Sequence, residues 1–392
     1  MTVSANATAD PSPLLSRPGA VNGAGVDAGV GWHYGDPAGE QRALAAGSAV
    51  ADLSHLGVVT VAGPDRLSWL NSITSQELTD LPPRTSTELL VLSQHGHIEH
   101  AAGVVDDGEV TWLLTEGASA APLAAWLDSM RFMLRVVVTD ATADWAALGE
   151  PVSAEAPAGE PMAWRDPWPR TLPGGTRYGP DDDEHPAANR RWRLVLVPRA
   201  ELTEAVAARE AAGARLVGTW ATEAERIASW RPRAGREVDH RAIPHELDWL
   251  RTAVHLNKGC YRGQETVARV HNLGRPPRRL VMLHLDGSAH VLPTDGSAVT
   301  HDGREVGVVT SAARHHELGP IALAVIKRSV PSDAVLLVDV DGEPVAAAQE
   351  VIVPGEGISV DRPAQRGPVA RGLNPRSRDD GAASHPAGPA RT

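Results

Sequence analysis

From Arg279 to about residue 355 the sequence is a run of short apolar segments cut by turn dipeptides, a pattern that few folds accommodate. Leu280 to Leu285, Val306 to Thr310, Ile321 to Ile326 and Val335 to Asp339 read as strands, and Asp302-Gly303 and Asp341-Gly342 supply hairpin turns. Strands this short and this regularly spaced predict a small antiparallel barrel. Upstream the period changes. Asp52-Leu53-Ser54-His55-Leu56-Gly57 leads into a strand over Val58 to Ala62, and Pro64 then opens a helix on which Leu67, Leu70 and Ile73 share one face. Strands are expected at Glu88 to Leu92, Gly96 to Val105, Val110 to Thr115 and Leu134 to Thr139, with a helix over Pro122 to Met130. The fold class is α+β.

Composition sets the boundaries. Residues 1–30 are rich in Ala, Gly, Pro and Ser without the basic start and apolar run of a signal peptide, and read as a disordered leader. Residues 31–145 form a first α+β domain. Residues 146–190, crowded with Pro, Gly and the run Asp181-Asp182-Asp183-Glu184, read as a long loop. Residues 191–278 form a second α+β domain, with a strand from Trp192, a helix over Glu201 to Ala212 stopped by Gly213, and a helix over Trp220 to Trp230. Residues 279–355 are the barrel and 356–392 a disordered tail.

The net charge of -12 disfavours nucleic acid and membrane surfaces, both polyanions. No run of ~18 apolar residues suggests a membrane span. Cys260 is the only cysteine, which excludes an intramolecular disulfide and any cysteine-rich metal centre within one chain. His315-His316 are neighbours on a strand and point to opposite faces. The expectation is a metal-free, cytoplasmic protein.

One segment concentrates chemistry. In Asn257 to Thr266, Gly259 and Gly263 bracket Cys260, Lys258 and Arg262 flank it, and a helix is predicted from Gln264 to His271. Two cations and a helix N-terminus favour a thiolate. The alternative is that Cys260 is a small buried apolar side chain. Residues 251–279 carry seven Arg or Lys against the single acid Glu265, which leaves room for a local anion site.

Lys258-Gly259-Cys260-Tyr261-Arg262-Gly263-Gln264-Glu265 resembles the K-G-C-Y-x-G-Q-E signature of the YgfZ family. Asp52 to Gly57 followed by Gly63-Pro64-Asp65 is similar to the N-terminal region of glycine-cleavage T-proteins. The resemblance covers roughly residues 45–355. It implies a three-part ring around a central channel that binds tetrahydrofolate, with a C-terminal barrel on one side. It also implies a role in assembly or repair of iron–sulfur proteins, with iron–sulfur client or assembly proteins as partners and Cys260 and Lys258 as the chemical pair. For the folate, Trp230 and Trp249, with Trp220, offer flat faces, and Arg231, Arg251 and Arg262, with Arg233, offer cations for the glutamyl tail. His240 and His245 are further candidates for substrate contact.

Two departures from the T-protein pattern stand out. Where that pattern places a catalytic aspartate this chain reads Glu99-His100-Ala101, and where it places a pterin-binding glutamate it reads Ala228. The first weighs against aminomethyl transfer. The second leaves Glu223, Glu225, Glu246 or Asp248 to supply the acid. Three readings follow: a folate-dependent helper of iron–sulfur proteins, a folate-dependent aminomethyl or one-carbon transferase, and a non-catalytic scaffold stabilised by folate.

Overall fold

The structure, a computed structural model, describes residues 10–152, 162–287 and 291–363. The predicted barrel is present. Strands Arg278–Leu285, Ala298–His301, Arg304–His315, Gly319–Lys327, Leu336–Val340 and Glu343–Val351 close into a six-stranded antiparallel barrel. Its first strand pairs with both the fourth and the last, so no edge is left open. Asp302 and Asp341 adopt φ of 50° and 54°, the left-handed turn geometry that made Asp-Gly legible as a hairpin.

Ahead of the barrel lie two five-stranded sheets. In one, Ser86–Leu92, Ile98–Asp106, Val110–Thr115, Gly57–Ala62 and Val137–Asp140 lie side by side in that order. In the other the order is Ala163–Arg165, Trp192–Pro198, Trp145–Pro151, Ala49–Asp52 and Arg215–Val217. Ala49–Asp52 thus sits in a sheet built mainly from residues beyond 145. The chain crosses from that sheet to the other in the turn at Leu53–Leu56, where Leu56 N–H donates to Leu53 O at 3.0 Å and Ser54 N–H to Asp52 Oδ1 at 3.0 Å.

Three sequence expectations are corrected. The leader is ordered from residue 10 onward: Pro13–Ser16 is a 3₁₀ turn, Ala20–Asn22 pairs with Gly31–Tyr34, and Leu14 is buried against Val50 and Leu148. The buried Leu14 and Val30 and the bidentate Arg17–Glu210 pair, at 2.9 Å, hold a segment whose composition alone argues for disorder. The expected loop 146–190 contains the strand Trp145–Pro151, central in its sheet, and the strand Ala163–Arg165. The expected tail packs at its start, where Val360 N–H donates to Arg177 O at 3.1 Å, and residues 364–392 lie outside the described residues.

Candidate functional site

The floor of the site is set by a glycine. A Cβ at Gly103 would lie 2.6 Å from the Trp164 indole, so only glycine lets Trp164 lie on the strand Ile98–Asp106. Its Nε1–H donates to Thr87 O at 2.7 Å. Above this floor is a cavity of about 170 Å³, far beyond the ~10–15 Å³ that one water needs. The helix Thr219–Ala228 forms another wall, and Trp192 and Trp249 add aromatic faces.

Charged side chains dominate the rest of the wall, and most are paired. Arg233 is the hub: it grips both Glu116 oxygens at 2.9 and 3.0 Å and donates to Asp27 Oδ1 at 2.7 Å and Glu223 Oε1 at 3.1 Å. Arg226 grips both Glu223 oxygens at 2.9 Å. Arg231 bridges Glu88 and Asp166, and Arg190 bridges Asp166 and Glu225. At Asp166 burial raises the carboxyl, but Arg231 and Arg190 outweigh it and hold the group low. At Glu88 burial prevails over Arg231 and pushes the carboxyl up. Two carboxyls on one guanidinium are driven apart, as sites that handle protons arrange them.

Three groups of this wall keep unused hydrogen-bonding capacity. Glu225 is its most open acid in an ion pair, with 32% of the side chain exposed; among the described residues its oxygens accept only from Arg190 at 3.1 Å and Ser229 Oγ at 2.9 Å. Arg231 Nη1 and His55 Nδ1 are buried and have no hydrogen-bond partner among the described residues.

Sequence candidates divide sharply. Arg231 and Trp249 line the cavity, as do Arg233, Glu223 and Glu225. Trp230 is core, its Nε1–H on Met282 Sδ at 3.0 Å. Arg251 is fully buried in a network of its own, and Arg262 is on the surface, paired with Glu99 at 2.6 Å. Asp248 is Arg251's partner and Glu246 is that of Arg278, so neither substitutes for an acid at Ala228. His245 is buried beneath the helix Gln264–Asn272, with Nε2 at 3.1 Å from Val267 O. Asp27 and His55, with Glu88, Glu116 and Asp166, are wall residues that the sequence reading missed.

The signature loop lies outside this wall. Lys258 turns inward and donates to the carbonyls of Asn71, Thr74 and Gln76 at 2.5, 2.9 and 2.5 Å, where the helix Arg66–Ile73 ends. Burial pushes its amine down to about 8, against the pull of Glu77. Tyr261 is buried, Gln264 Nε2–H donates to Lys258 O at 3.3 Å, and Glu265 reaches Arg269 at 2.8 Å. Cys260 is exposed, which removes the reading of it as a buried apolar residue. The two cations expected to favour its thiolate are both committed elsewhere.

The two glycines of the loop are not equivalent. Gly263 has φ +86°, and a Cβ there would lie 2.6 Å from Ser93 O; at Gly259 a Cβ would meet nothing within 4 Å. Gly263→Ala is therefore expected to lower stability by roughly 1–3 kcal/mol in a urea titration, and Gly259→Ala to leave the midpoint unchanged. Equal midpoints would mean that the loop has no fixed geometry.

Known proteins resemble this chain along most of its length. Residues 27–149 match the GCVT N-terminal domain and residues 278–352 the glycine cleavage T-protein C-terminal barrel domain. An aminomethyltransferase of Thermotoga neapolitana is 25% identical over 92% of this chain and 99% of its own length, and one of Parasynechococcus marenigrum is 25% identical over 78% and 86%. A putative chloroplastic transferase of Arabidopsis thaliana is 36% identical, over 31% of this chain and 27% of its own length. The crystal structure of the glycine cleavage system aminomethyltransferase T from Bartonella henselae superposes with a TM-score of 0.69 at 16% identity, covering 87% of this chain and 96% of that one. That last likeness is one of fold.

Proposed function

The chain belongs to the glycine-cleavage T-protein superfamily, and from that premise we propose that its cavity binds a tetrahydrofolate and serves a one-carbon transfer of the aminomethyltransferase kind. The observation that carries this reading is the donor and acceptor set of the wall: an aromatic face, a guanidinium at Arg231 with a buried N–H that has no partner among the described residues, and a part-exposed carboxylate at Glu225. An aminopyrimidine edge offers two parallel donors to a carboxylate and its ring carbonyl accepts from an N–H, so these residues fit the group. Glu225 takes the part left open by Ala228, three residues further along the chain. When bound, the folate supplies an amine able to accept a one-carbon unit. The protein supplies orientation through Glu225 and Arg231, and exclusion of water by the tryptophans.

Anaerobic titration with tetrahydrofolate, followed by tryptophan fluorescence, tests the assignment. Wild-type protein should show saturable quenching, and Glu225→Gln should weaken it at least tenfold, the scale of one hydrogen bond to a charged group. Arg262→Ala should bind as wild type does. No quenching near millimolar ligand, or equal binding by Glu225→Gln, would sink the assignment.

The exposed Cys260 favours a second reading, support of iron–sulfur assembly or client proteins through the signature loop. It predicts that loss of the gene lowers the activity of iron–sulfur enzymes. Restoration by Cys260→Ala as full as by wild type would take the thiol out of that role.

A further inference from the structure

We propose that the tip formed by residues 130–137 is where two copies of this chain meet about a two-fold axis. The helix Gly117–Met130 runs out there into a turn and then the edge strand Val137–Asp140. Met130, Phe132, Met133, Leu134 and Val137 are all exposed. Phe132 is the only phenylalanine of the chain and is 91% exposed; Met133 is 85% exposed, and no other large apolar side chain among the described residues stands so open. Phe132 alone offers on the order of 200 Å². With its neighbours the patch reaches roughly the several hundred Å² that marks an interaction surface instead of scattered exposure.

The tip is held from beneath. Arg135 donates to Asp65 from its main-chain N–H, Nε and Nη2 at 2.8, 3.0 and 2.6 Å, Trp69 Nε1–H donates to Met130 O at 3.3 Å, and Arg135 O lies so close to Gly63 that no Cβ fits there. Phe132 takes φ +48°, a left-handed geometry unfavourable for a bulky side chain. The backbone is thus fixed in a strained form that leaves the one phenylalanine in solvent. Charge decides the occupant. From Asp128 to Val138 the charged residues are Asp128, Arg131 and Arg135; Arg131 pairs with Asp128 at 3.1 Å and Arg135 with Asp65, so the tip is electrically balanced. An anionic membrane meets no unpaired cation on it, and the chain behind it carries -12. A basic protein meets no unpaired acid there. Two copies repel over much of their surface but not at this tip, whose rim carries both signs, so a two-fold contact can match Arg against Asp across the axis. Face to face, two such patches cover on the order of 1,000 Å², near the lower bound of a specific interface. The dimer is therefore expected to be reversible in the micromolar range.

Sedimentation velocity of the full chain across the micromolar range tests this. Wild type is expected to pass from monomer to dimer as concentration rises. Phe132→Asn suits the left-handed backbone and removes the ring, so its thermal midpoint should lie at or above that of wild type. Its dimer dissociation constant should rise about tenfold or more, since each copy loses a buried aromatic. Met133→Glu sets like charges against each other across the axis and should abolish the dimer; it also serves as the test should Phe132→Asn fail to fold. Leu337→Glu, at an exposed apolar position on the barrel, should dimerise as wild type does. A wild type that stays monomeric throughout overturns the proposal, as does a dimer that either folded tip variant leaves intact. Co-sedimentation of a monomeric wild type with phosphatidylglycerol vesicles, lost in Met133→Glu, would assign the tip to a lipid surface and overturn it as well.

Discussion

Arg251→Met is expected to cost about 3–5 kcal/mol of stability, the scale for removing one partner of a buried ion pair. In a urea titration this would be a large fall in the midpoint with an unchanged slope. Arg251 has no exposed surface, and every nitrogen of its guanidinium is engaged. Nε and Nη2 hold Asp248 Oδ2 at 3.0 and 2.7 Å, Nη1 holds Asp182 Oδ1 at 2.8 Å and Pro169 O at 3.0 Å, and Nη2 also holds Pro180 O at 2.9 Å. The substitution strands Asp248, fully buried and already pushed up by that burial, and leaves Asp182 held by Thr171 without its ion-pair partner. Arg262→Met, at another candidate for the same ligand tail, breaks a pair with about a third of each side chain exposed, and should cost less than ~1 kcal/mol. Similar midpoints for the two variants would show that the buried network contributes nothing particular.

The contrast between those arginines shows where sequence reasoning stops. Local signals carried far: the barrel runs over Arg278–Val351 against an expected 279–355, the strand Val110–Thr115 and the helix Gln264–Asn272 lie where periodicity put them, and Gly213 closes its helix at φ +97°. Long-range pairing did not. Trp145–Pro151 was hidden because its neighbours in sequence are Pro, Gly and acids, while its partners are Trp192–Pro198 and Ala49–Asp52. Arg231 and Arg233 stand close together in sequence and read as cations free for a ligand. The acids that neutralise them come from residues 27, 88, 116, 166 and 223. Asp27 lay in a stretch whose composition argued for disorder, and His55 sat in a quoted motif whose visible signal was the strand that follows it.

Acid is expected to weaken the fold well before the carboxylates titrate. His185 and His245 are 2% and 1% exposed, and burial lowers each to about 3; at His185 the nearby Arg251 adds to this, and at His245 the bond to Val267 O opposes it. His185 is packed between Trp168 and Trp230, with ring centroids at 5.4 and 5.2 Å. In the unfolded chain both return to about 6.5. Between about pH 6.5 and 3 the unfolded state therefore binds protons that the folded state refuses, and stability falls as pH falls through that window. At pH 5 the loss is roughly 1–2 kcal/mol for each group, since each unit of difference is worth about 1.4 kcal/mol. Burial lowers His100, His271 and His315 in the same sense, so a single variant removes only part of the slope. His245→Gln can still donate to Val267 O but takes no proton. Its urea midpoint at pH 7.5 should lie near or below that of wild type, and the drop on going to pH 5 should be smaller by the share of one histidine. Equal drops in variant and wild type would mean that His245 is protonated inside the fold, and its Nδ1, which lacks a partner among the described residues, would then have to find one.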